Sequence, residues 1–185
     1  MIINIGRELA AGGREVGKRL AATLGYRYFD KEIILEASKR SGISTQEFER
    51  QDETYNKFLV GLGLGHDNLY HIQDQVIHDL AEAGNAVFVG RTADHILRDR
   101  HDCLNIFLSA TTSDRCQRLM SKEQLTEAQA LELIHKTDAK RAEYYEFFTG
   151  KRWGDARSYD LCINTSDLGI DLTVQLILQY VKLKR

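Results

Sequence analysis

Ile2-Ile3-Asn4-Ile5-Gly6-Arg7-Glu8-Leu9-Ala10-Ala11-Gly12-Gly13-Arg14-Glu15-Val16-Gly17-Lys18-Arg19-Leu20-Ala21 opens the chain. A short apolar run passes through a Gly/Ala loop into an amphipathic stretch. This strand–loop–helix order suits phosphate, because the first amides of a helix lack internal partners and point outward from its end. Two registers compete for the loop. Gly12 to Lys18 spells G-x-x-x-x-G-K, with Arg19 where Ser or Thr belongs. That reading starts the helix near Lys18, leaves it under two turns before Gly25, and strips Val16 and Leu20 of a shared face.

The alternative puts the loop at Arg7–Arg14, directly after the strand. Gly12 then takes the last loop glycine, Gly13 the lysine position and Arg14 the Ser/Thr position. The helix gains about three turns, and Val16, Leu20 and Leu24 recur at i, i+4, i+8 before Gly25 stops it. Backbone amides of Gly12, Gly13, Arg14 and Glu15 can cradle phosphate without a lysine, and Arg14 can add charge-assisted bonds. A tight Gly-Gly turn without a ligand is the competing reading.

Outward from this segment the chain alternates. Ile2–Ile5, Tyr26–Phe29, Ala86–Val89, Leu104–Leu108 and Leu161–Ile163 read as strands, several of them continuously apolar as in a parallel sheet covered on both faces. Lys31–Arg40, Asn68–Ala83, Ser113–Lys122 and Asp171–Val181 read as helices. Thr126 and Gln129 have capping-box spacing and open a long helical run to about Phe148. Segment 56–68, where Gly61, Gly63 and Gly65 alternate with leucines, reads as a loop within an insertion. Strand–helix alternation implies an α/β parallel sheet with right-handed crossovers.

Composition narrows the function. The chain has 185 residues, 43% of them hydrophobic and 28% charged, with net charge −2. That is a globular balance, and on electrostatic grounds it points to neither nucleic acid nor membrane. No apolar run approaches the ~20 residues of a membrane span and no signal-peptide pattern opens the chain, so a cytoplasmic location is expected. Cys103, Cys116 and Cys162 have no metal-like spacing and read as reduced thiols, while the scattered histidines form no ligand set. Proline is absent, leaving glycine and caps to end helices.

The chain resembles the cytidylate kinase-like family, a divergent branch of the P-loop nucleoside monophosphate kinases. The resemblance rests on the opening segment, on Tyr28-Phe29-Asp30-Lys31-Glu32 and on Val89-Gly90-Arg91-Thr92-Ala93-Asp94-His95-Ile96-Leu97. It continues in Lys136-Thr137-Asp138-Ala139-Lys140-Arg141, Thr149-Gly150-Lys151-Arg152-Trp153-Gly154-Asp155 and Tyr159 to Ser166. It implies a three-layer P-loop kinase-type fold with a five-stranded parallel sheet, within one domain over residues 1–185. An acceptor-binding insertion at about 31–80 and a lid at about 122–156 go with it. It further implies transfer of the γ-phosphoryl of ATP to CMP or a similar monophosphate, with Mg²⁺. The metal enters with the nucleotide, and Asp94 is the candidate protein contact to it.

By the same resemblance Asp30 matches an acceptor-binding aspartate, Gly90-Arg91 a Gly-Arg pair, and Asp138 with Arg141 the Asp-x-x-Arg of the lid helix. The chain departs from the pattern at Gly13 for lysine (itself typical of this branch), at Glu36 for the usual arginine, and at Thr92 for aspartate. Phosphoryl transfer calls for cations around the transferring group and a metal held by carboxylate or hydroxyl, which supports Arg14, Arg91, Asp138 and Arg141 as the catalytic set. Asp30, Arg91 and Asp94 form the acceptor set. Competing readings stay open: a surface arginine at 91, an exposed ion pair at 138/141, a helix cap at Asp30. Tyr144, Tyr145, Phe147 and Phe148 read as packing; Trp153 reads as lid closure, base contact or packing. Glu36 keeps alive a kinase for another small acceptor, and Gly13 a non-catalytic nucleotide- or phosphate-sensing module.

Overall fold

Continuous apolar strands need cover on both faces, and the sheet obtains it from helices on each side. The computed structural model describes residues 1–46 and 66–184. In it five strands lie in the order β2-β3-β1-β4-β5, every neighbouring pair parallel. They are β1 Ile2–Arg7, β2 Arg27–Phe29, β3 Ala86–Val89, β4 Cys103–Ser109 and β5 Leu161–Asn164. The helices are α1 Gly13–Leu24, α2 Glu32–Ser41, α3 His66–Glu82, α4 Ala93–Ile96, α5 Thr112–Glu123, α6 Glu127–Thr149 and α7 Thr165–Lys184. A 3₁₀ turn spans Ala156–Ser158.

Alternation along β1 divides the core. Ile3 and Ile5 join Val87, Val89, Leu104 and Ile106 beneath α1 and α7, with Val16, Leu20 and Ile177 buried among them. Ile2 and Phe88 face the other way, against Ile33 and Ile34 of α2 and Val76 and Ile77 of α3. A smaller cluster, Cys116, Leu119, Ala130 and Ile134, holds α5 to α6 beside Leu9 and Ala10.

Helix α1 begins where Val16/Leu20/Leu24 spacing requires. Gly12 is its N-cap at φ 86° and Gly25 its C-cap at φ 67°. Gly17, the glycine of the false G-K match, is a packing residue: a Cβ there would lie 2.8 Å from Val89 Cγ2. Lys18 lies 5.9 Å from the Tyr28 ring centroid, on the outside of the helix. Thr126 and Gln129 form the expected capping box.

Two expectations need correction. α7 starts at Thr165, six residues before the periodicity shows it, because β5 runs straight into a first turn that Gly169 (φ 67°, ψ 175°) breaks from the amphipathic part. Asp30 does not cap α2; Lys31 holds the N-cap position with no side-chain cap bond. Of the expected glycine-rich loop at 56–68, residues 56–65 lie outside the described residues, and 66–68 belong to α3.

Candidate active site

The carboxyl ends of parallel strands, together with the helix N-termini that follow them, make the sheet edge where α/β proteins bind ligands. Here the loop after β1 is held by its carbonyls. Arg141 Nη1 donates to Arg7 O (3.2 Å), Arg115 Nε to Leu9 O (2.7 Å), Arg118 Nη1 to Ala10 O (3.0 Å) and Thr165 Oγ1 to Ala11 O (3.0 Å). The Ala11 amide donates to Glu8 O at 3.3 Å. Side chains from α5, α6 and α7 thus engage four carbonyls of this segment. The first intrahelical bond of α1 runs from Val16 N to Gly12 O (3.0 Å), so the amides of Gly13, Arg14 and Glu15 precede the helical ladder.

A cleft of about 570 Å³ opens beside this loop. It gathers Arg14, Asp30, Arg91, Asp94 and Arg141 from four separate segments, and adds Arg7, Lys31, Lys136 and Lys140. Gly12, Gly13, Glu15 and Asp138 are not among its walls.

Asp30, at the end of β2, accepts from Arg14 Nε at 2.5 Å and faces Arg7 Nη2 at 3.8 Å. Arg14 therefore leans toward the β2 side. After β3 the chain makes a turn in which Gly90, Arg91 and Thr92 all adopt positive φ (80°, 63°, 53°). Left-handed backbone at two non-glycine residues costs energy and is characteristic of sites where geometry matters more than stability. Thr92, where the family has aspartate, is buried and donates to Arg91 O at 2.7 Å, so it holds this turn.

Asp94 accepts a 2.6 Å bond from Tyr145 Oη. Burial pushes the Asp94 carboxyl above its ordinary range, against the opposing pull of that bond. Burial, then Asp94, raises the Tyr145 phenol as well. Arg141 is held below its ordinary range by burial, with Asp138 opposing.

Asp138 is not an exposed pair. Its Oδ1 accepts the Leu9 amide at 2.8 Å and its Oδ2 takes Arg115, whose side chain is 5% exposed. Arg141 sits at 4.0 Å. Arg115 also reaches Glu8 at 3.2 Å. Arg115 and Arg118 carried no sequence signal, since two arginines three apart on a helix read as surface.

The aromatic group divides. Tyr145 is buried, Tyr144 lines the cleft, Phe147 is 41% exposed, and Phe148 stacks on Tyr70 of α3 at 4.0 Å. Trp153 both packs and lines the cleft: its ring meets Phe107 edge-on at 5.4 Å. Glu36 is half-buried on α2, 3.3 Å from Arg40, and is not among the cleft walls.

A sequence model of the cytidylate kinase-like family matches residues 2–167. The cytidylate kinase of Methanococcus vannielii is 27% identical over 185 residues, covering 98% of this chain and all of that one. The crystal structure of an uncharacterized protein from Eubacterium ventriosum superposes with TM-score 0.78 at 28% identity, covering 98% of both chains. A shikimate kinase from Bacteroides thetaiotaomicron shares the fold, with TM-score 0.61 at 14% identity over 98% of both chains. Among the described residues no helix is long and apolar enough to cross a membrane.

Proposed function

Given that the chain belongs to the cytidylate kinase-like family, we propose that it transfers the γ-phosphoryl group of ATP to a nucleoside monophosphate, CMP foremost. The observation that carries this reading is the loop whose carbonyls are taken up by arginine side chains beside a cleft into which arginine and lysine bring seven cations against the two carboxylates of Asp30 and Asp94. The residues present fit a polyphosphate: amides at a helix start, then guanidiniums. ATP, when bound, supplies the phosphoryl group, and Mg²⁺ arrives on it, since Arg14 stands where a metal-binding hydroxyl belongs.

In this reading the amides of Gly12 to Glu15 hold the donor phosphates. Arg141 and Arg14 neutralise charge as it moves to the bridging oxygens. Arg91, Asp30 and Asp94 orient the acceptor, with Arg91 fixed by its left-handed turn and Asp94 by Tyr145. Asp138 acts as a positioning residue through the Leu9 amide and Arg115. Segment 31–80 is read as the acceptor insertion and 122–156 as the lid.

One observation favours a second acceptor class. Glu36 stands where the family's acceptor arginine belongs and pairs with Arg40 instead. An acceptor without a phosphate would have no need of that arginine. Purified protein with ATP, Mg²⁺ and a panel of nucleoside monophosphates and small hydroxylated metabolites decides. Turnover of CMP above all others supports the first reading, turnover of a non-nucleotide the second. Nucleotide binding without turnover of any acceptor refutes both and leaves a sensing module.

A further inference from the structure

Gly13 removes the lysine of an ordinary phosphate loop, and the same glycine makes room for another cation. Arg7, at the end of β1, runs past it: a Cβ on Gly13 would lie 2.7 Å from Arg7 Cγ and 3.0 Å from Arg7 Cβ. The guanidinium then passes over Gly90, where any Cβ would overlap it. Two glycines from different strand–helix connections therefore shape one slot for a single side chain, between the ends of β1 and β3.

Within that slot Arg7 has little to bond. Its ion pair with Asp30 spans 3.8 Å, beyond hydrogen-bond length, and Asp30 is held more closely by Arg14 at 2.5 Å. Arg115 and Arg118 show the contrast, with guanidinium bonds of 2.7 and 3.0 Å to loop carbonyls. A guanidinium carries five donors, and one with a side chain only 19% exposed is expected to use them. Burial and then Arg141 pull it down to about 9 from its ordinary value, with Asp30 opposing. Arg141, Arg91 and Arg14 surround it, so positive charge is in excess there. A dianionic phosphoryl group would relieve that excess and accept the unused donors.

We propose that Arg7 replaces the phosphate-loop lysine, its guanidinium binding the γ-phosphoryl group at the junction between donor and acceptor. The assignment rests on the kinase reading above. The exchange is paired: an arginine six residues before the glycine does what a lysine at that glycine does elsewhere, and neither change works alone. An arginine adds planar, two-pronged bonding to phosphate oxygens that a lysine lacks.

The test is the ratio of ATP to ADP affinity, measured by calorimetry with Mg²⁺, alongside initial rates. Arg7→Met keeps the stem against Gly13 and removes the charge. It should weaken ATP binding about tenfold or more, leave ADP within about threefold, and lower kcat about 100-fold or more. Gly13→Lys alone should bind ATP poorly because Arg7 blocks its path. Arg7→Gly combined with Gly13→Lys should recover the preference for ATP. An unchanged ATP-to-ADP ratio in Arg7→Met, with the wild type binding both, overturns the role of Arg7 and leaves the kinase reading standing. A wild type that binds neither nucleotide overturns both. Should Arg7→Met fail to fold, Arg7→Gln keeps an uncharged polar head on a shorter stem, and the same ratio decides.

Discussion

Replacing Asp138 by Ala removes a carboxylate that serves two donors at once, one of them the buried Arg115 guanidinium. Oδ1 accepts the Leu9 amide at 2.8 Å and Oδ2 accepts Arg115. Stranding a buried charge outright costs roughly 3–5 kcal/mol. Arg115 retains Glu8 at 3.2 Å and Leu9 O at 2.7 Å, so its share falls short of that limit. One charge-assisted bond of about 1.5–3 kcal/mol is lost, and the Leu9 amide adds about 1 kcal/mol more because water can reach a site 18% exposed. The expected loss is about 3 kcal/mol, which for a domain of this size lowers Tm by roughly 6–12 °C. Calorimetric melting of Asp138→Ala, Arg115→Met and the double variant measures it. A coupling energy above about 1.5 kcal/mol is expected, with the KM for ATP raised in each single variant as the loop at Leu9 slackens. A loss below about 0.5 kcal/mol, the size of an exposed ion pair, would refute the reasoning and return Asp138 to the surface.

Gly12→Ala places a side chain at φ 86° and overlaps the Ile170 side chain. About 1–2 kcal/mol of destabilisation is expected from the backbone, read as a lower urea midpoint, and Ile170→Val should recover only the steric remainder. Complete recovery would show the backbone conformation to be unimportant. Asp94 binds its proton more tightly folded than unfolded, so wild-type stability should decline as pH rises from about 4 through the raised folded value. Asp94→Asn keeps an acceptor for Tyr145 and lacks that slope. Its stability advantage should therefore grow across the window in urea melts at several pH values. A constant advantage would mean that folding leaves the proton affinity of the carboxyl unchanged, and a shrinking one that the carboxylate is stabilised when charged; either refutes the expectation.

Local chemistry made the framework legible. Apolar runs gave all five strands to within two residues at either end, and the Val16/Leu20/Leu24 period with Gly25 placed α1. The Thr126–Gln129 box placed the start of α6. Cleft residues next to strand ends, Asp30, Arg91 and Asp94, were legible for the same reason, since topology sends those positions to one edge. What escaped was partnership over long separations. Nothing in Lys136–Arg141 says that Asp138 will meet an amide 129 residues earlier, and nothing in Ser113–Lys122 marks Arg115 as a buried arginine. Arg7 escaped because its slot is written in two glycines distant in sequence, each of which reads alone as a turn.

Trp153 is the chain's single tryptophan, and it stands in the wall of the cleft against Phe107. Indole emission from this protein therefore originates at one place, a few ångströms from where ligands are proposed to lie. The molecule carries its own optical reporter. Occupancy of the cleft and rearrangement of the Arg152–Asp155 loop can be followed by light alone, with no label attached and no second indole to blur the signal.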